Sequence, residues 1–121
     1  MKRDRLRGAL EAVDRVLNRG GDADDVLRAV VTAVYERARY DWVGISFVEG
    51  DELVLGPTTG AGRGDGERLA VPIRYEERAV GELAVLGSPD EEDRAFLERV
   101  ATLVSPYCLV GWDTGGARWD P

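Results

Sequence analysis

The spacing of apolar positions divides the chain into segments of two kinds. From Arg5 to Arg19, Leu6, Leu10, Val13 and Leu17 recur at intervals of four, three and four, which lays one apolar stripe along a helix. Asn18-Arg19-Gly20-Gly21 stops it, with glycine available for a left-handed cap. Asp22 then reads as the N-cap of a second helix, with Asp24 and Asp25 in its first turn complementing the helix dipole. This helix runs to about Ala38. Its apolar face, Val26, Leu27, Val30, Val31 and Val34, is wide enough to imply burial against a sheet.

At Trp42 the period falls to two. Val43, Ile45 and Phe47 alternate with Trp42, Gly44 and Ser46, which predicts a strand. Glu49-Gly50-Asp51 is a turn, and Glu52–Gly56 a second strand with Leu53 and Leu55 on one face, so the pair predicts a hairpin. The stretch from Pro57 to Glu67 holds Gly60, Gly62, Gly64 and Gly66 and predicts a loop. A third strand follows over Arg68–Tyr75, with Leu69, Val71 and Ile73 inward and Pro72 marking an edge. Glu76-Glu77 turns into a fourth strand over Ala79–Leu86. Ser88-Pro89-Asp90-Glu91 predicts a helix start, with Ser88 as N-cap, Pro89 at the first helical position and Glu91 closing a capping box. Phe96, Leu97, Val100, Leu103 and Val104 form the face of this last helix. Pro106 is expected to kink or restart it, and Gly111 to end it. The fold class is therefore α+β: an antiparallel sheet of about four strands with two N-terminal helices and one C-terminal helix on one face.

Composition narrows the function. The 121 residues are 44% hydrophobic and 32% charged, which suits a single domain spanning 1–121 with an irregular tail at 112–121. No apolar run approaches the length of a membrane span, and no apolar segment follows the basic N-terminus as a secretory signal would require, so a cytoplasmic protein is expected. The net charge of −7 argues against a nucleic-acid partner. The cationic cluster Lys2, Arg3, Arg5 and Arg7 is expected to be a frayed, solvated helix start. There is no histidine and a single cysteine, Cys108, so an internal disulfide is impossible and the commonest general base and metal ligand are missing.

Several strings resemble the GAF domain family, and within it the free methionine-(R)-sulfoxide reductases. They are Asp41–Phe47, Gly50–Pro57, Val71-Pro72-Ile73, Ala79–Leu83, and Ser88–Asp93 leading into the last helix. The resemblance implies the same sheet-and-helix fold, a ligand side on the sheet face away from the helices, and pairing of copies through terminal helices. In those reductases a long segment carrying the redox cysteines lies between the second and third strands. Here only Thr58–Glu67 spans that gap and holds no cysteine, so the reductase activity is not carried over.

Candidate chemistry is sparse. The neighbours of Cys108 (Tyr107, Leu109 and Val110) suggest a core thiol, with redox or sulfoxide-reductase chemistry through it as the alternative. The glycine-rich loop Gly60–Gly66, with Arg63 and Arg68 as charge partners for an anion, lacks the strand-loop-helix context of a phosphate loop and reads as a connector. The acidic runs at Asp22–Asp25 and Asp90–Asp93 sit where helix starts favour negative charge, without calcium-loop spacing. No metal or cofactor is expected. The expected site is the outer sheet face, where Trp42, Ser46, Arg68, Arg74 and Glu82 stand beside Val54, Ala70, Pro72 and Ala84. The stripe Leu6, Leu10, Val13 and Leu17 is the expected homodimer surface, since the second helix already covers the sheet. The tail, with Trp112-Asp113 and Trp119-Asp120, is expected to fold back over the sheet or meet a partner. The chain is thus expected to be a non-catalytic sensing or dimerisation module, with a small-molecule ligand on the outer face.

Overall fold

The computed structural model describes residues 2–61 and 66–109. Its elements are α1 (Lys2–Arg19), α2 (Ala23–Ala38), β1 (Trp42–Glu49), β2 (Glu52–Gly60), β3 (Glu67–Tyr75), β4 (Arg78–Gly87), α3 (Glu91–Val104) and a 3-10 turn, Ser105–Cys108. The expected order of elements holds. The expected tail fold, Gly111 and Arg63 lie outside the described residues.

The four strands form an antiparallel sheet in the order β2-β1-β4-β3, so each hairpin contributes one central and one edge strand. Helices α2 and α3 pack on one face, and α1 stacks mainly on α2 and α3. One core joins these layers. Val43, Ile45, Phe47, Val71, Ile73, Leu83 and Val85 from the sheet meet Leu27, Val30, Val34, Leu97 and Val100 from the helices. Asp22 caps α2 as the sequence predicts, accepting a 3.1 Å bond from the Asp25 N–H.

Four readings of the sequence need correction. Leu53 and Leu55 do not face the helices. The two-residue turn pairs Glu49 with Glu52, so Phe47 stands opposite Val54, Val48 opposite Leu53, and Ser46 opposite Leu55. Paired residues share a face. Val54 therefore lies on the helix side with Phe47, and the two leucines lie outside, 50% and 58% exposed. Second, β2 continues through a bulge, in which Gly56 and Pro57 stand where β1 offers Ile45, as far as Gly60. The loop is thus confined to 61–66. Third, Asp90 and not Ser88 caps α3. Its carboxylate accepts from the N–H groups of Glu92 (3.0 Å) and Asp93 (3.3 Å), and the Asp93 carboxylate accepts in return from the Asp90 N–H (2.8 Å).

The fourth correction concerns α1, which starts at Lys2 and is anchored. Lys2 Nζ lies 2.7 Å from Asp93 and 3.0 Å from Asp90, and Arg5 Nε donates to the Ala38 carbonyl at 3.0 Å. Asp93, only 1% exposed, also accepts a 2.6 Å bond from the Tyr40 hydroxyl. One buried carboxylate therefore ties together the start of α1, the α2–β1 junction and the start of α3. Buried charge is tolerated only with such partners.

Candidate functional site

The outer sheet face is built in rows by the strand register. At the end where β1 begins, Trp42, Leu86 and Arg68 stand in line across β1, β4 and β3. The next row is Gly44, Ala84 and Ala70, and the one after it Ser46, Glu82 and Pro72. The middle row carries almost no side chain of its own, a backbone trough that the larger groups of the flanking rows fill. The Trp42 indole leans along its own strand over Gly44, so any β-carbon at position 44 would collide with the ring. From the other side, Arg68 reaches across the Ala70–Ala84 row to Glu82, Nη2 to Oε1, at 2.7 Å. Ala84, beneath these groups, is buried.

Four of the five expected site residues, Trp42, Ser46, Arg68 and Glu82, thus surround one trough. Arg74 does not join them. A bulge between Ile73 and Arg74 pairs it with Ala79, at the far end of the sheet. Sequence reasoning missed Gly44, whose lack of a side chain admits the indole, and it missed the exposed group Val48, Leu53 and Leu55. The two-residue turn is the signal that would have placed those leucines.

The end of β2 and the start of β3 lie at the same end of the sheet. Gly60 stands opposite Trp42, and Glu67 opposite Gly87. The six positions 61–66 therefore join opposite edges of a four-stranded sheet, roughly 14 Å apart at ordinary strand spacing.

The remaining candidates are structural. Cys108 is 4% exposed, and burial pushes its thiol up to about 12, so it holds its proton and is a poor nucleophile. Among the described residues no group of His, Cys, Asp and Glu side chains is arranged to hold a metal ion. No described helix is long and apolar enough to cross a membrane. The stripe expected at a dimer surface belongs to the protomer's own core: Leu6 and Val13 are buried, and Leu10 and Leu17 pack against the core half-buried. The stripe thus has a use within the protomer, while an apolar groove lined by Leu6, Leu10, Ala95 and Phe96 stays open between α1 and α3.

No family model matches the chain, and no curated protein matches it. Solved structures do match its fold. The GAF domain of an Acinetobacter phosphoenolpyruvate-protein phosphotransferase aligns over 89% of this chain and 94% of its own, with a TM-score of 0.74 and 15% identity. A free methionine-R-sulfoxide reductase from Neisseria meningitidis, solved with its substrate, aligns over 85% and 87%, with a TM-score of 0.75 and 21% identity. A putative GAF sensor protein from Burkholderia vietnamiensis aligns over 88% and 95%, at 0.72 and 19%. The chain has the fold that GAF domains and these reductases share.

Proposed function

We propose that this chain is a non-catalytic binding module of GAF-like fold, and that its outer sheet face takes a small ligand carrying both polar and apolar groups. The observation that carries this reading is the trough itself. Trp42 lays a flat apolar surface over Gly44, and the Arg68–Glu82 pair spans the Ala70–Ala84 row, so a ligand would lie against the indole and exchange that ion pair for its own charges. An amino-acid-sized zwitterion matches that pairing of charges.

A redox role through Cys108 is the alternative, and geometry weighs against it. The thiol is buried, its proton is tightly held, and the chain has no second cysteine or histidine to assist it.

The test is a thermal-shift panel of free amino acids, methionine sulfoxide, nucleotides and small acids, since specific binding raises the melting temperature by mass action. A concentration-dependent rise is expected for at least one small zwitterion. The rise should vanish in Trp42→Ala and Arg68→Ala and persist in Arg74→Ala, whose side chain stands away from the trough. If no compound raises the melting temperature, the reading is wrong.

A further inference from the structure

We infer that the β2 edge is a self-pairing surface, on which a second copy of this chain adds its own β2 antiparallel to the first and joins two four-stranded sheets into one.

β2 is an edge of the described sheet. Natural edges are usually protected by lysine, proline or inward-pointing charge. In β2 the bulge and Pro57 protect only the part from Gly56 onward; Glu52–Leu55 before them has no lysine or proline, and it sets two leucines outward, 50% and 58% exposed, beside Val48 at 38%. These three and Leu109 are the exposed large hydrophobic residues among those described.

The direction of the backbone groups follows from the hairpin. In a two-residue hairpin the flanking pair, here Glu49 and Glu52, exchanges both backbone hydrogen bonds. Along a strand these groups alternate in direction. The N–H and C=O of Glu52 and Val54 therefore point at β1, and those of Leu53 and Leu55 point out from the sheet edge.

A two-fold axis through Val54 satisfies both sets of requirements at once. It places Leu53 opposite Leu55 of the second copy and Leu55 opposite Leu53, so that the outward N–H and C=O groups meet reciprocally. It also gathers four leucines on the outer face. The acidic Glu52 falls opposite Gly56, so no like charges oppose each other along the ladder. The sequence Leu53-Val54-Leu55 is thus complementary to itself, as an isologous interface demands. The surface lies on β2, apart from the ligand residues on β1, β3 and β4, so either reading can fail without the other.

The buried patch is small beside a standard interface, so the association is expected to depend on concentration. Each protomer carries −7, so added salt should strengthen it by screening.

Light scattering across a concentration series tests the proposal on the full chain. The wild type should move from the protomer mass of 13.2 kDa towards twice that value, and further at higher salt. Leu53→Lys/Leu55→Lys should stay at the protomer mass with an unchanged circular dichroism spectrum, because both side chains are solvent-facing. Val54→Cys, placed on the axis in a close non-hydrogen-bonded pair, should form an intermolecular disulfide on mild oxidation. A wild type that stays monomeric throughout the series overturns the proposal. So does a dimer that survives the double lysine variant, or a Val54→Cys protein that dimerises without crosslinking.

Discussion

Replacing Tyr40 by phenylalanine removes one hydroxyl and leaves the ring in place. The hydroxyl donates a 2.6 Å bond to Asp93, whose carboxylate is 1% exposed and takes its other contacts from Lys2 at 2.7 Å and the Asp90 N–H at 2.8 Å. Burial, and after it the hydrogen bond to Asp93, push the Tyr40 hydroxyl well above its ordinary range, so it acts purely as a donor. A hydrogen bond to a charged group contributes about 1.5–3 kcal/mol, and a buried acceptor left without its donor sets the loss towards the upper half of that range. For a chain of this length the loss corresponds to a fall in melting temperature of about 6–12 °C. Urea denaturation should show a lower midpoint with an unchanged slope, because the fold itself is retained. In a Lys2→Met background the same change should cost more, since the hydroxyl is then the only side-chain donor left to Asp93 among the described residues. A loss below about 0.5 kcal/mol, or strict additivity with Lys2→Met, would refute the view of Asp93 as a shared hub.

Stability should also fall at high pH. Tyr40 and Cys108 have pKa values raised by burial from ordinary values of 10.0 and 9.0, and Lys2 is raised from 10.5 by its bonds to Asp93 and Asp90. A raised group contributes stability that is complete below its unfolded pKa and lost above it. The domain should therefore weaken progressively above pH 9, as urea midpoints across a pH series would show. At the acid end, Asp90 is held down at about 2 by Lys2 and by the Asp93 N–H, so its contribution is complete above 3.8 and fades below. Cys108 in the folded protein should resist a thiol reagent at neutral pH and react fully in denaturant; rapid labelling of the native protein would contradict its burial. Gly44→Val should displace the Trp42 indole, costing about 1–3 kcal/mol by overpacking and abolishing any ligand-induced thermal shift; an unchanged shift would place the ligand elsewhere.

The elements were legible because each has a strong local signal. The 3.6 and 2.0 periods, the Asp22 cap and the hairpin turns all depend on near neighbours in sequence. What the sequence obscured depends on partners far along the chain. Asp90 and Ser88 both stand three residues before an acid, and only the burial of Asp93 under Lys2 and Tyr40 selects Asp90. The stripe on α1 holds, but Ala9, Ala12 and Val16 are buried beside it, so α1 spends most of its apolar face on the other two helices. Leucine at alternate positions of β2 looked like a core face, yet register overrules hydrophobicity there. That Trp42, Ser46, Arg68 and Glu82 share one face is legible because strand alternation alone puts them there. Arg74 follows the same alternation but stands a row beyond Pro72, where the bulge pairs it with Ala79, away from Trp42 and Arg68.

The central claim is that the outer sheet face is the working surface, and amide chemical-shift mapping on the labelled protein tests it most directly. With the zwitterion that gives the largest thermal shift, the perturbed amides should cluster at Trp42, Gly44, Ser46, Arg68, Ala70, Glu82 and Ala84, leaving α1 and α3 unmoved. Perturbations centred on the helices, with those strand positions silent, would contradict it.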